Sequence, residues 1–247
     1  MAPSIDLRRI EELGLNASAT PAQLLYDGWL LRLWPGPAKR ARSINAVYPS
    51  TLPLADKVAY CERLYRDHQL RPVFRITPFS EPPTLDAELA HLGYPRFDQT
   101  AVEVASIAPE NLQPAPTEVL PLPAWVEAVG VLRGSPPEYR AGHLQRLQAS
   151  QLPNRSLVIR HEGRIVATGL TIVEGAWAGL FDIVTDKRQR RQGYARKLVH
   201  GLLQAAWDLG ARQAYLQVTV NNTPARALYA RLGFCERYQY WYRGHSD

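Results

Sequence analysis

The chain has 247 residues, 46% hydrophobic and 21% charged, with a formal net charge of +6. These are globular values with room for one large domain or two small ones, and no run approaches the 18 apolar residues that a membrane helix needs, which excludes a spanning segment of that kind. The two cysteines, Cys61 and Cys235, form no C-x-x-C pair and no zinc spacing, so no metal is expected, and both read as buried, reduced thiols.

The first sixteen residues carry early charges but no apolar core, which is unlike a signal peptide. A soluble, cytoplasmic protein is the expectation. The excess positive charge suits a polyanionic ligand, whether a phosphorylated cofactor or nucleic acid. The basic residues form no long run and are densest between Arg188 and Lys197, which favours a small phosphate ligand and disfavours nucleic acid. The six tryptophans are scattered among apolar runs and read as core.

In chain order, residues 54–68 read as a helix, 71–77 as a strand, 85–90 as a short helix and 99–107 as an alternating strand. Residues 108–123 hold five prolines among sixteen residues and read as a linker. Helices follow over 122–132 and 136–150. The second opens on two prolines, which suit a first helical turn. Residues 156–161, 164–173 and 176–185 read as three strands joined by the turn dipeptides Glu162-Gly163 and Glu174-Gly175, an antiparallel meander.

A helix is predicted over 193–209. Ala195, Leu198, Val199, Leu202, Ala206 and Leu209 recur at its period, and Gly210 stands as its stop. The strand 214–220 follows and is expected to lie parallel to the strand before the helix. A short helix from Thr223-Pro224 to Leu232 and a last strand over 234–242 complete the chain.

Between strand and helix stands Arg190-Arg191-Gln192-Gly193-Tyr194-Ala195. The first amides of a helix lack partners inside it, and the helix dipole is positive there, so a basic turn before a helix builds an anion site. Gly193 lets a phosphate approach because it has no Cβ. Downstream runs Asn222-Thr223-Pro224-Ala225, then Leu228-Tyr229, then Leu232-Gly233-Phe234.

The two motifs, in this order and with this strand and helix between them, resemble the pyrophosphate loop and the last motif of the GNAT acetyltransferases over residues 156–243. Asp186-Lys187 stands where many members carry a proline, which bears on loop shape.

The first half carries a fainter echo. Residues 71–77 resemble 212–219, and Leu92-Gly93-Tyr94 resembles Leu232-Gly233-Phe234. The helix over 54–68 holds the place of the helix over 193–209, and the pattern reads as a diverged internal repeat. The segment before that helix, Val47 to Pro53, has neither glycine nor arginines, and its prolines remove amide donors. Asn222 and Tyr229 have no counterpart there.

The expected fold is therefore α/β (α+β with a mixed sheet). It comprises two tandem GNAT-like domains, each a mostly antiparallel sheet flanked by helices with a splayed parallel strand pair. Residues 1–107 would form a degenerate domain that does not bind cofactor, 108–123 the linker, and 124–247 the acetyl-CoA-binding domain. The stretch from Asp27-Gly28-Trp29 to Arg42-Ser43-Ile44-Asn45 is also similar to the N-terminal region of some tandem members, and Arg42, Ser43 and Asn45 are candidates to face a substrate cleft.

The resemblance implies direct transfer of an acetyl group from acetyl-CoA to a primary amine of a small molecule or peptide. The pyrophosphate would rest on the backbone from Arg190 through Arg191, Gln192, Gly193 and Tyr194 to Ala195. The pantetheine arm would pair with the strand edge Ile183, Val184 and Thr185, with an amide near Val184 polarising the thioester carbonyl. Asn222, with Ala225 on the same turn, would touch the pantetheine arm, cap its own helix, or do both.

Tyr229 is the candidate general acid, against a plain core aromatic, because a phenol keeps its proton at neutral pH. Asp182 is the candidate base for the amine, against a surface aspartate paired with a nearby arginine. Two other classes stay open: a non-catalytic acyl-CoA sensor or partner-binding module on this fold, and a nucleic-acid binder. The amine acceptor is not legible, and a homodimer is allowed.

Overall fold

A computed structural model describes residues 6–245. The elements are α1 (Leu7–Ala17), β1 (Gln23–Tyr26), β2 (Trp29–Arg32), β3 (Ile44–Ala46), α2 (Leu54–Asp67), β4 (Val73–Ile76), α3 (Leu85–His91), β5 (Arg96–Ser106) and β6 (Glu118–Val119). Then come α4 (Leu122–Arg133), α5 (Pro137–Ala149), β7 (Asn154–His161), β8 (Arg164–Glu174), β9 (Trp177–Thr185), α6 (Tyr194–Asp208), β10 (Gln213–Thr219), α7 (Thr223–Arg231) and β11 (Cys235–Gly244). The protein is α/β, with parallel and antiparallel strand pairs.

Of the described residues, 6–102, 219–221 and 236–245 form one compact unit, and 103–218 with 222–235 form another. In the first, the strand order is β1-β2-β3-β4-β11. Within it β3 and β4 pair parallel, joined through α2. Trp29, Leu31, Ile44, Val58, Cys61, Tyr65, Phe74 and Leu89 make its core.

A charged pair is also buried there. Arg75 donates from Nε to Glu11 Oε1 at 2.5 Å and from Nη2 to Oε2 at 3.0 Å, and Tyr238 donates to Oε2 at 2.7 Å. The Arg75 guanidinium lies 3.3 Å from the centroid of the Tyr240 ring.

Three expectations are corrected by the structure. Arg42, Ser43 and Asn45 do not line a cleft: all are buried, and the Asn45 amide donates to Leu30 O and Ser43 O, an internal brace for β2 and β3. The last strand, read with the second half of the chain, pairs antiparallel with β4 through Ile76↔Trp241 and Val73↔Gly244. Alternation shows that a strand is half-buried but not which neighbour it joins. Cys61 is buried as expected, whereas Cys235 is exposed.

In the second unit the order is β10-β9-β8-β7-β6. Strands β7, β8 and β9 form the expected meander, and β10 runs parallel to β9. The proline-rich stretch contributes β6, which pairs with β7 through Glu118↔Val158 and Val119↔Leu157.

Helix α6 packs its apolar face, Leu198, Val199, Leu202 and Ala206, onto this meander with all four side chains fully buried. Each such leucine contributes about 2 kcal/mol by leaving water. Gly169 of β8 permits the close approach, because a Cβ there would stand 2.7 Å from Leu202 Cδ1. Trp125 of α4 is fully buried and donates from Nε1 to Leu157 O.

Candidate active site

Strands β9 and β10 stay paired from Trp177↔Gln213 to Leu180↔Leu216 and then part. Beyond Leu180, among the described residues, β9 pairs with β8 alone, through Thr168↔Val184 and Ala167↔Thr185. The other edge of Ile183, Val184 and Thr185 is open to a ligand's amides.

The Asp186 amide donates to Val166 O at 2.8 Å. By the two-residue alternation of a strand, the Val184 amide turns to β8 as well, and the Thr185 amide faces the open edge. The Thr185 amide is thus the one near Val184 that faces away from β8.

The chain then turns into α6. Asp186 accepts from the Arg188 amide at 2.8 Å and caps a short 3-10 turn, Lys187–Gln189. That cap gives the loop a defined entry without the proline seen in many members of the family it resembles. Arg190, Arg191 and Gln192 are exposed. Gly193 is the N-cap residue of α6, at φ +80° and with no capping side chain, so the first-turn amides of Tyr194 and Ala195 face outward. Nothing lies within 4 Å of the position a Gly193 Cβ would take. Tyr194 itself is buried, and its ring lies 5.8 Å from that of His161, so only its backbone serves the loop.

Asn222 caps α7: its side chain accepts from the Ala225 amide at 3.4 Å. Tyr229, on the inner face of α7, is buried against Phe234. Burial, and secondly the charge of Glu103, push its phenol up to about 12, so the hydroxyl holds its proton throughout the neutral range.

Glu103 of β5 is itself buried. Its Oε1 accepts from Arg226 Nε at 2.9 Å, while Oε2 has no hydrogen-bond partner among the described residues. A Glu103→Gln change should therefore lower the Tyr229 phenol pKa. Carbon-13 NMR of labelled tyrosines, assigned with Tyr229→Phe, would show it, and an unmoved midpoint would refute the coupling.

Asp182 sits at a β-bulge. Asp182 and Ile183 together stand opposite the single residue Gly169, and Asp182 takes φ +52°. Its Oδ1 accepts from Arg133 Nη2 at 2.6 Å, and its Oδ2 lies 3.2 Å from His143 Nε2. The pairing with an arginine, weighed from the sequence as the plainer role, is present.

Residues 124–234 match the acetyltransferase (GNAT) family model. This part of the chain is a GNAT acetyltransferase domain. Across nearly its full length the chain is 29% identical to an uncharacterized N-acetyltransferase, YobR, of Bacillus subtilis, over 96% of this chain and 98% of that one. A GCN5-related N-acetyltransferase from Kribbella flavida has the same fold, with a TM-score of 0.66, 18% identity and coverage of 98% and 95%. A tandem GNAT protein from the clavulanic acid biosynthesis pathway superposes at a TM-score of 0.59 with 17% identity, covering 100% of this chain and 90% of its own. The protein is thus an acyltransferase, and members of this family generally use acetyl-CoA.

The acetyltransferase domain carries an open strand edge, a helix start with free space at Gly193, and a buried phenol. Three groups beside these escaped the sequence reading: Glu103, Arg133 and His143. Glu103 precedes the family-matched segment, and the other two lie on helices whose periodicity carries no chemical signal. Only folding brings Arg133 and His143 to Asp182.

Proposed function

We propose that the protein transfers the acetyl group of acetyl-CoA to a primary amine of a small molecule or peptide by direct attack. The observation that carries this reading is the parting of β9 from β10 beside an uncapped helix N-terminus. That arrangement offers edge amides and anion-binding amides a few residues apart.

Acetyl-CoA would supply an activated acetyl thioester. The amides from Arg190 to Ala195 would hold its phosphates, with the surrounding arginines adding charge, and the open edge from Ile183 to Thr185 would align its amide arm. The Thr185 amide would stabilise negative charge on the carbonyl oxygen. Asn222 fixes the start of α7 and so the placement of Tyr229, which would hold a proton for the departing sulfur. Removal of the amine proton falls to the cluster around Asp182. The first unit would bind no cofactor, since α2 starts at Pro53 and Leu54 with no glycine turn.

Calorimetry tests this directly. The wild type should bind one acetyl-CoA per chain. Gly193→Trp places a large side chain in the open space before α6, in a backbone conformation that L residues avoid. Affinity should fall at least about 100-fold, roughly 2.7 kcal/mol. Two sites per chain would show that the first unit binds cofactor too. Absence of binding would end the acetyltransferase reading, and binding without transfer to any amine would favour a sensor.

A further inference from the structure

Asp182, the carboxylate that immediately precedes the open edge in sequence, is held on both oxygens. Arg133 donates to Oδ1 at 2.6 Å and His143 Nε2 lies 3.2 Å from Oδ2. The three come from separate elements: the end of α4, the middle of α5 and the bulge of β9. The Asp182 and His143 side chains are 12% and 17% exposed, so the pair is shielded but reachable. The imidazole also meets the ring of Trp125 in an edge contact, with centroids 6.0 Å apart. Trp125 is itself anchored to Leu157 O. Among the described residues, Asp182 from β9 and the Trp125 ring from α4 meet the imidazole, and Arg133 adds its charge through Asp182.

A carboxylate beside a guanidinium keeps its charge and is a poor proton acceptor. A histidine that donates Nε2–H to such a carboxylate has its tautomer fixed, with the lone pair on Nδ1, and imidazole is the side chain that takes up and releases protons near neutral pH. The left-handed backbone at Asp182, uncommon for a residue other than glycine, is the kind of local cost that persists where it aims a functional group.

We propose that His143 is the general base for the incoming amine. Asp182 is its positioning residue, and Arg133 holds Asp182 in place. This rests on the reading that the open edge of β9 holds the acetyl thioester. In the transfer, the carbon–nitrogen bond forms as the carbon–sulfur bond breaks. The amine proton passes to His143 Nδ1, directly or through one water, and the Tyr229 proton passes to sulfur. His143 then releases its proton to solvent and Tyr229 regains one, so the exchange balances.

Two measurements test the proposal. In nitrogen-15 NMR of the intact protein without cofactor, His143, assigned with His143→Gln, should show the Nε2–H tautomer. Asp182→Asn should convert it to a mixture, and a mixture already present in the wild type would overturn the dyad.

In acetyl transfer to spermidine, kanamycin and a peptide with a free N-terminus, His143→Gln should lower kcat about 100-fold and abolish the acid limb of its pH profile. Acetyl-CoA affinity by calorimetry should stay within about twofold. Asp182→Asn should lower kcat in the same direction with a shifted acid limb, a change that lost folding would not produce. A rise in amine KM alone, or an unchanged pH profile in His143→Gln, would overturn the base assignment while leaving the acetyltransferase reading intact. Wild-type protein that acetylates none of these amines would overturn both.

Discussion

Tyr229→Phe is expected to lower kcat by about 100- to 1,000-fold while acetyl-CoA affinity changes less than about twofold. General acid catalysis typically contributes a factor of this size, about 3–4 kcal/mol of barrier. The ring is buried against Phe234, and its hydroxyl is not engaged by any described residue, so phenylalanine keeps the packing and removes only the proton. Because burial and Glu103 push the phenol up to about 12, the wild-type acid should stay protonated across the neutral range and show no basic limb of its own below that pH. Thiol release followed with a chromogenic reagent, beside calorimetry on both proteins, would decide. Unchanged turnover would remove Tyr229 from the mechanism and leave it a core aromatic.

A second large effect is expected on stability, in the first unit. Glu11→Ala leaves the Arg75 guanidinium buried without its carboxylate, and removing one partner of a buried ion pair costs about 3–5 kcal/mol. Urea unfolding at neutral pH should show a loss of that order, and a loss under about 1 kcal/mol would show that Arg75 finds other partners cheaply. Replacing both, as Glu11→Leu with Arg75→Met, should recover much of the loss because no lone buried charge remains.

The pH dependence has a definite sign. Burial alone would raise the Glu11 carboxyl, but the charge of Arg75 and the hydrogen bonds from Arg75 and Tyr238 outweigh it and hold the group below its ordinary value. Its stabilisation is therefore fully present above the ordinary glutamate range, near pH 4.3, and is lost as pH falls through the lower folded value. Wild type should lose stability on acidification more steeply than Glu11→Gln.

Both charged partners were silent in the sequence. Glu11 lies in a short helix that its pattern did not announce, 64 residues from Arg75, and a buried charge looks like any other until its partner is in place. Likewise β1, β2 and β3, of three or four residues each, are too short for alternation to separate from loop.

The sequence by itself determined the parts of the catalytic half whose signals are local. Turn dipeptides marked the meander. The 3.6-residue period marked α6, and a glycine with arginines before a helix marked the loop proposed as the anion site. The spacing from Asn222 to Tyr229 to Gly233 marked the last motif.

Tertiary structure alone decided how far β9 and β10 stay paired, which edge amide is open, and that β11 joins β4. It also decided that Asp182 meets Arg133 and His143 and that Glu103 lies beside Tyr229. The reason is physical: period, caps and turns act over a few residues and are written in neighbouring letters. Strand partners and buried charge pairs depend on which distant groups packing brings within a few ångströms, and no local pattern encodes that.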